Sequence, residues 1–210
     1  MMDERSRATE RAYDHAAHDF ADRTAHRSDM AAAFFERLLA NVPPGALVVD
    51  LGCGPGHDVR RLIQAGHATI GVDRSPALLH KCPDGTGKVR GDLRSLPLRD
   101  GSVGALWCSA ALHHIDRLDI DATFADWDRV LEPGGVVGFA TSLGGYAGWE
   151  LVPAGAHRRP EITYGHGRWF VHHDRDALEL SVACAGWDLR WSAVRSSHRD
   201  WLQALATSQR

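Results

Sequence analysis

Lysine is nearly missing from this 210-residue chain: Lys81 and Lys88 are the only two among 24 basic residues. That scarcity excludes a G-x-x-x-x-G-K-[ST] phosphate loop, because neither lysine stands in the required frame. No block of basic residues exists either, and the formal charge is −3. Both facts argue against a nucleic-acid track or a basic membrane patch. The four cysteines, Cys53, Cys82, Cys108 and Cys184, are widely spaced and form no C-x-x-C. A disulfide framework or zinc knuckle is therefore not expected, and the default is reduced thiols in a cytosolic protein. Long apolar runs are absent too. The longest uncharged stretch, Pro133–Trp149, holds six glycines and is too short and broken to span a bilayer. The start, MMDERSRATER, is charged and has no apolar signal core, so a cytoplasmic location is expected.

What remains is ordinary for one globular domain: 44% hydrophobic and 24% charged residues. Residues 5–40 are Ala-rich with helical spacing and predict two helices, the second capped by Ser28 or Asp29. Pro43, Pro44 and Gly45 end that segment. Strands and helices then alternate. Strands are predicted at Ala46–Asp50, Ala68–Asp73, Lys88–Asp92, Ser102–Cys108, Val136–Thr141, Trp187–Val194 and Trp201–Ala206, the last of which would also pass as a short helix. Val59, Leu62 and Ile63 predict the buried face of a first crossover helix, and Ser75 caps a short helix through His80. Further helices are expected around Ile120–Val130 and over Asp174–Ala185, with LEPGG at Leu131–Gly135 as a turn. Such alternation predicts an α/β fold around an open, doubly wound, seven-stranded sheet. The last connection, Arg195–Asp200, is too short for a crossover helix, so the final strand must run antiparallel.

The most telling stretch is LVVDLGCGPGHDVRRL at Leu47–Leu62. Gly52, Gly54 and Gly56 allow a sharp turn and close approach of a ligand, and the helix start behind them offers free N–H groups. The spacing is G-x-G-x-G; the dinucleotide fingerprint G-x-G-x-x-G is not met, which disfavours a nicotinamide dehydrogenase. Ligands of open parallel sheets bind beyond the carboxyl ends of the strands. Three acids end three successive predicted strands: Asp50, Asp73 and Asp92. Asp73 can accept bonds from vicinal ribose hydroxyls. Asp92 can accept from an exocyclic adenine amine while the Leu93 N–H donates to a ring nitrogen. A loop without lysine suits an amino-acid tail, its carboxylate at the helix start and its ammonium at Asp50 or nearby carbonyls.

With these residues in view, the chain resembles the class I S-adenosylmethionine-dependent methyltransferases, in their small-molecule branch. The matching segments are LVVDLGCGPG, ATIGVDRSP, VRGDLRSLPLRDGS, ALWCSAALHHI and RVLEPGG, then GRWF, ALELSVACAGWDL and WLQALA. The resemblance implies a Rossmann-like sheet with residues 1–42 as a helical lid over a core of 43–210, all one domain. It implies S-adenosyl-L-methionine as cofactor, held by Tyr13, Asp50, Gly52, Gly54, Gly56, Asp73, Arg74, Asp92, Leu93 and Ser109. His114 matches a histidine that lies near the reacting methyl group in the family, which makes it the candidate base; a structural histidine shaping the pocket is the competing reading. His113 is expected to pack. Gly104 stands where the family often has a structural acid.

The acceptor wall is expected in Ser142–Phe170, which carries Tyr146, Trp149, Tyr164, Arg168, Trp169 and Phe170 among glycines. Arg168 and Phe170 match a motif of relatives and are the candidate substrate contacts. His172-His173-Asp174 could suggest a metal, but Asp174 fits better as a helix cap, and no metal is expected. The activity implied is methyl transfer to a small-molecule O, N or C acceptor. A nucleic-acid methyltransferase is disfavoured because CSAA after the fourth strand is neither N-P-P-Y-like nor a Pro-Cys nucleophile. A protein of this fold that uses the cofactor without transferring methyl groups stays open.

Overall fold

The structure, a computed structural model, describes residues 3–25, 32–150 and 167–210. The elements are α1 (Glu4–Thr24), α2 (Ala32–Leu39), β1 (Leu47–Leu51), α3 (His57–Gln64), β2 (Ala68–Asp73), α4 (Pro76–Leu79) and β3 (Gly87–Arg90). They continue with β4 (Val103–Ser109), α5 (Ile120–Val130), β5 (Leu131–Ser142), β6 (Ala147–Glu150), β7 (Arg168–Val171), α6 (Arg175–Cys184), β8 (Trp187–Ser196) and β9 (Asp200–Ser208). Seven strands form one sheet in the order β3-β2-β1-β4-β5-β9-β8. β1 to β5 are parallel, and β9 runs antiparallel to both β5 and β8. The order reverses between β1 and β4, which opens a crevice at their carboxyl ends.

Burial on both faces explains why the central strands read as nearly unbroken apolar runs. Along β4, Ala105 and Trp107 face α2, where Phe34, Phe35 and Leu38 pack. Leu106 and Cys108 face the opposite side with Phe124 and Trp127 of α5 and Leu178 and Val182 of α6. Each large buried indole also finds an acceptor, as a buried N–H must. Trp107 Nε1 donates to Asp58 at 2.8 Å, Trp127 Nε1 to the Leu93 carbonyl at 2.8 Å, and Trp187 Nε1 to Asp128 at 2.8 Å.

Several predicted boundaries shift. β1 and β4 each sit one residue later than expected, and β3 ends at Arg90, leaving Asp92 beyond it. The expected turn at Leu131–Gly135 is instead the start of β5, where Leu131 pairs with Val103 across a register shift. Ile63 is not on the buried face; it is 43% exposed in the last turn of α3, where the apolar stripe narrows to Val59 and Leu62. The stretch expected as a glycine-rich loop contains a two-stranded ribbon, β6 with β7. Ser28, Asp29 and Tyr164 lie outside the described residues. Among the described residues, no helix is long and apolar enough to cross a membrane.

The glycine at position 104 is a packing requirement here. A Cβ built on it would meet the Ala46 Cβ at 2.6 Å, in a buried strand. Gly104→Asp, which restores the acid common in relatives, is expected to destabilise the fold by about 2 kcal/mol or more through overpacking and an unpaired buried carboxyl. Urea unfolding of the two proteins checks this.

Candidate active site

The carboxyl ends of β1, β2 and β4, with α1 laid across them, enclose a cavity of about 220 Å³. Its wall includes Tyr13, Asp50, Gly52, Gly54, Asp73, Arg74, Asp92, Leu93, Ser109 and His114. Gly56 is not in the wall. It sits at φ 79° as the residue before α3, and a Cβ there would meet the Cys82 Sγ at 2.9 Å, so its place is the close turn against Cys82. Gly52 is also left-handed, at φ 70°, and a Cβ would strike Ala111. Ala110, next to Ser109 in the wall, holds φ 61°, a conformation that costs a non-glycine residue energy and that clusters at functional sites.

Asp73 ties the loop to the sheet. Its Oδ2 accepts the Gly54 N–H at 2.8 Å and its Oδ1 the Ser75 N–H at 2.8 Å. Burial pushes its carboxyl above the usual range although these N–H groups pull it down. Asp50 is only 3% exposed, and burial together with nearby Asp58 pushes its carboxyl well up. Two buried acids in one small cavity create a site that favours a cation and repels phosphate. Lys88, one of the chain's two lysines, donates to the Cys82 carbonyl at 2.9 Å.

Asp92 is engaged more heavily than its predicted role allows for. Oδ1 accepts from Arg94 N at 3.0 Å and Nε at 3.1 Å; Oδ2 accepts from Arg94 Nη2 at 2.8 Å, with Arg74 Nη1 at 3.5 Å. Burial works to raise this carboxyl, but the Arg94 bonds outweigh it and hold it below the usual range. Arg74, the longest of these contacts, is the one that another donor would displace.

His114 lies on a short 3₁₀ turn, Leu112–His114. Its Nδ1 is 2.7 Å from the Trp169 carbonyl, which can only accept, so Nδ1 carries the proton. Burial pushes its pKa down to about 3, so the ring is neutral and Nε2 offers a lone pair. That lone pair accepts a hydrogen bond from the Tyr13 hydroxyl at 2.8 Å, and the Tyr13 oxygen in turn accepts from Arg168 Nη1 at 2.9 Å. Arg168 and Phe170, expected at the acceptor, therefore stand behind this chain and outside the cavity wall. Phe170 is 5% exposed and stacks on His113 with centroids 4.6 Å apart. His113 packs as expected. His172 binds Ser142 Oγ and Glu150, Asp174 caps α6, and among the described residues no group of three candidate ligands could hold a metal.

Sequence reasoning named Tyr13 but missed the rest of the polar stripe of α1. Ser6, Thr9 and Glu10 share helical spacing with Tyr13, and all four line the cavity. Thr9 Oγ1 accepts the Trp169 N–H at 2.9 Å, Glu10 pairs with Arg74 and Arg90, and Asp14 accepts from Ser75 Oγ at 2.5 Å. Polar residues at i, i+3, i+4 and i+7 in an Ala-rich helix were the available signal.

Comparison with known proteins agrees with this geometry. Residues 49–139 match the model of a methyltransferase domain family. These residues carry a methyltransferase domain, and the fold is that of the S-adenosylmethionine-dependent methyltransferases. It is 36% identical over 115 residues to a malonyl-[acyl-carrier protein] O-methyltransferase of Pectobacterium atrosepticum, a match covering 52% of this chain and 45% of that protein. An uncharacterized methyltransferase of Mycobacterium bovis is 31% identical over 162 residues, covering 72% and 62% of the two chains. The chain thus spans about half the length of the curated relatives it matches first. Among solved structures, the 1,6-didemethyltoxoflavin-N1-methyltransferase of Burkholderia thailandensis, solved with S-adenosylhomocysteine and 1,6-didemethyltoxoflavin, superposes with a TM-score of 0.74. It is 16% identical and covers 98% of this chain and 89% of its own. That likeness speaks for the fold.

The depressed histidine has a consequence for stability. His114 takes its proton in the unfolded chain near pH 6.5 but only near pH 3 when folded. Stability is then complete above about pH 6.5 and falls with pH below it, by about 2 kcal/mol from this residue between pH 7 and 5. His114→Gln is expected to flatten that fall in chemical denaturation run across a pH series.

Proposed function

We propose that this chain transfers the methyl group of S-adenosylmethionine to a small-molecule O, N or C acceptor. The observation that carries this reading is the single cavity that joins the glycine loop to Asp50, Asp73 and Asp92 and has no lysine in its wall. Buried acids beside left-handed glycines fit a cationic nucleoside with an amino-acid tail, and oppose a polyphosphate. The cofactor supplies an activated methyl on a sulfonium. Gly52 and Gly54 seat its tail, with Asp50 toward the ammonium. Asp73 takes the ribose hydroxyls, Leu93 offers its N–H to adenine, and the adenine amine reaches Asp92 by displacing Arg74. Ser109 borders the same wall.

Residues 1–42 serve as the lid, with α1 excluding water from the reacting centre. His114 orients Tyr13 rather than acting as a free base, because its lone pair is already occupied and its proton affinity is low. Arg168 positions the Tyr13 hydroxyl, and Phe170 backs His114. A small acceptor is supported by the small, partly open cavity and by the mildly negative charge, which disfavours nucleic acid. The names of the Pectobacterium and Burkholderia proteins, which refer to a malonyl group on a carrier and to a small heterocycle, point the same way. A cytoplasmic location belongs to this reading.

Thermal shift should show stabilisation by S-adenosylmethionine and S-adenosylhomocysteine and none by NAD. Stabilisation by NAD alone overturns the proposal. Asp73→Asn should weaken S-adenosylhomocysteine at least tenfold in calorimetry. In a screen of phenols, amines and carboxylates read as S-adenosylhomocysteine release, Tyr13→Phe and His114→Ala should each lower kcat by roughly 10- to 100-fold. Unchanged turnover in His114→Ala would remove that residue from the mechanism.

A further inference from the structure

Two thiols that are 29 residues apart in sequence meet beneath the glycine loop. The Sγ atoms of Cys53 and Cys82 are 3.8 Å apart, and both residues are buried. Cys53 belongs to the loop itself and lines the cavity; Cys82 follows α4. Both sulfurs also lie against the Gly54 carbonyl, at 3.7 Å from Cys53 and 3.4 Å from Cys82. Two glycines clear the space for the pair. A Cβ on Gly71 would meet the Cys53 Sγ at 2.8 Å, and one on Gly56 the Cys82 Sγ at 2.9 Å. Nothing in methyl transfer calls for either thiol.

We propose that Cys53 and Cys82 form a reversible disulfide under hydrogen peroxide, and that this bond closes the cofactor loop to its ligand. The sulfurs need to approach from 3.8 Å to about 2.0 Å. The pair is electronically unequal. The contact with the Cys53 thiol holds the Cys82 thiol below its ordinary range, with Lys88 assisting. The same contact, together with burial, pushes the Cys53 thiol up. Cys82 is thus the attacking thiolate and Cys53 the resolving thiol.

The Cys82 sulfur attacks one peroxide oxygen, the O–O bond breaks, and the departing hydroxide leaves as water with the proton that Cys82 gave up. Cys82 is now a sulfenic acid. The Cys53 sulfur then attacks the Cys82 sulfur; the S–S bond forms, the S–O bond breaks, and the hydroxide leaves as water with the Cys53 proton. Two thiols are oxidised and one peroxide is reduced to two waters. Of the two, Cys53 lines the cavity, so a bound cofactor hinders the movement of its sulfur toward Cys82.

The bond acts on the ligand site because Cys53 sits between two anchors. The Gly52 and Cys53 N–H groups donate to the Val72 carbonyl at 2.7 and 3.1 Å, and the Gly54 N–H donates to Asp73 at 2.8 Å. Drawing the Cys53 side chain toward Cys82 pulls the loop against both.

The test uses the Cys184→Ser protein, which lacks the exposed thiol, treated with hydrogen peroxide with and without S-adenosylhomocysteine. Intact mass, peptide mapping and calorimetry of S-adenosylhomocysteine are the readouts. The expected result is a loss of two hydrogens mapped to a Cys53–Cys82 peptide, slowed by S-adenosylhomocysteine. Affinity should fall at least tenfold and return with dithiothreitol. Cys82→Ser and Cys53→Ser should each abolish the cross-link. Oxidation that adds oxygen without joining the two peptides overturns the proposal, and so does a complete cross-link with unchanged affinity. The gating rests on the cofactor reading. A reduced protein that binds no S-adenosylhomocysteine would overturn that reading and the gating together, whereas the mass readout reports the disulfide by itself.

Discussion

The two N–H bonds into the Asp73 carboxylate organise everything around them. One comes from Gly54 in the loop after β1 and the other from Ser75 at the head of α4. A carboxylate buried this deeply needs such donors to stay charged. The loop in turn needs the carboxylate, since a left-handed turn with its N–H groups pointing inward has few other partners. Ser75 then passes the constraint outward: its hydroxyl meets Asp14 of α1, which also accepts from the Ala77 N–H. The seat of α1 over the cavity follows from how one strand end is neutralised.

The core reaches into the site by a second route, through its tryptophans. Trp127 fills the face beneath α5 and spends its N–H on the Leu93 carbonyl, which fixes the segment beside Asp92. Trp107, packed between Phe34 and Phe35, spends its N–H on Asp58 in the first turn of α3. The segment beside Asp92 and the start of α3 are thus hydrogen-bonded to fully buried side chains. Rigid support of this kind is what lets a loop hold a ligand in one pose.

Much of this was legible in the chain. β2 and α5 appear with the residues expected. The glycine loop and the acids at the ends of β1 and β2 and just beyond β3 could be placed because strand ends in a parallel sheet converge on one side. Other features depend on distance relations that one-dimensional patterns do not carry. Arg94 looks like any surface arginine in sequence, yet it bonds Asp92, Asp3 and Asp119 together. The β6–β7 ribbon hides behind glycines and four-residue strands. Arg168 was recognised as a site residue but not as the partner of Tyr13, since 155 positions separate them.

The same arginines make α1 sensitive to its ionic surroundings. Asp3, Arg94, Asp92, Arg74 and Glu10 run as one ladder of alternating charge between the helix and the sheet. Its outer rung is half in water, with Asp3 49% exposed, while Glu10 is only 11% exposed. Added electrolyte therefore screens the ladder from the amino end inward. The Asp3 rung is therefore weakened more than the Glu10 rung, and the inner contacts of α1 persist at ionic strengths that screen the outer one.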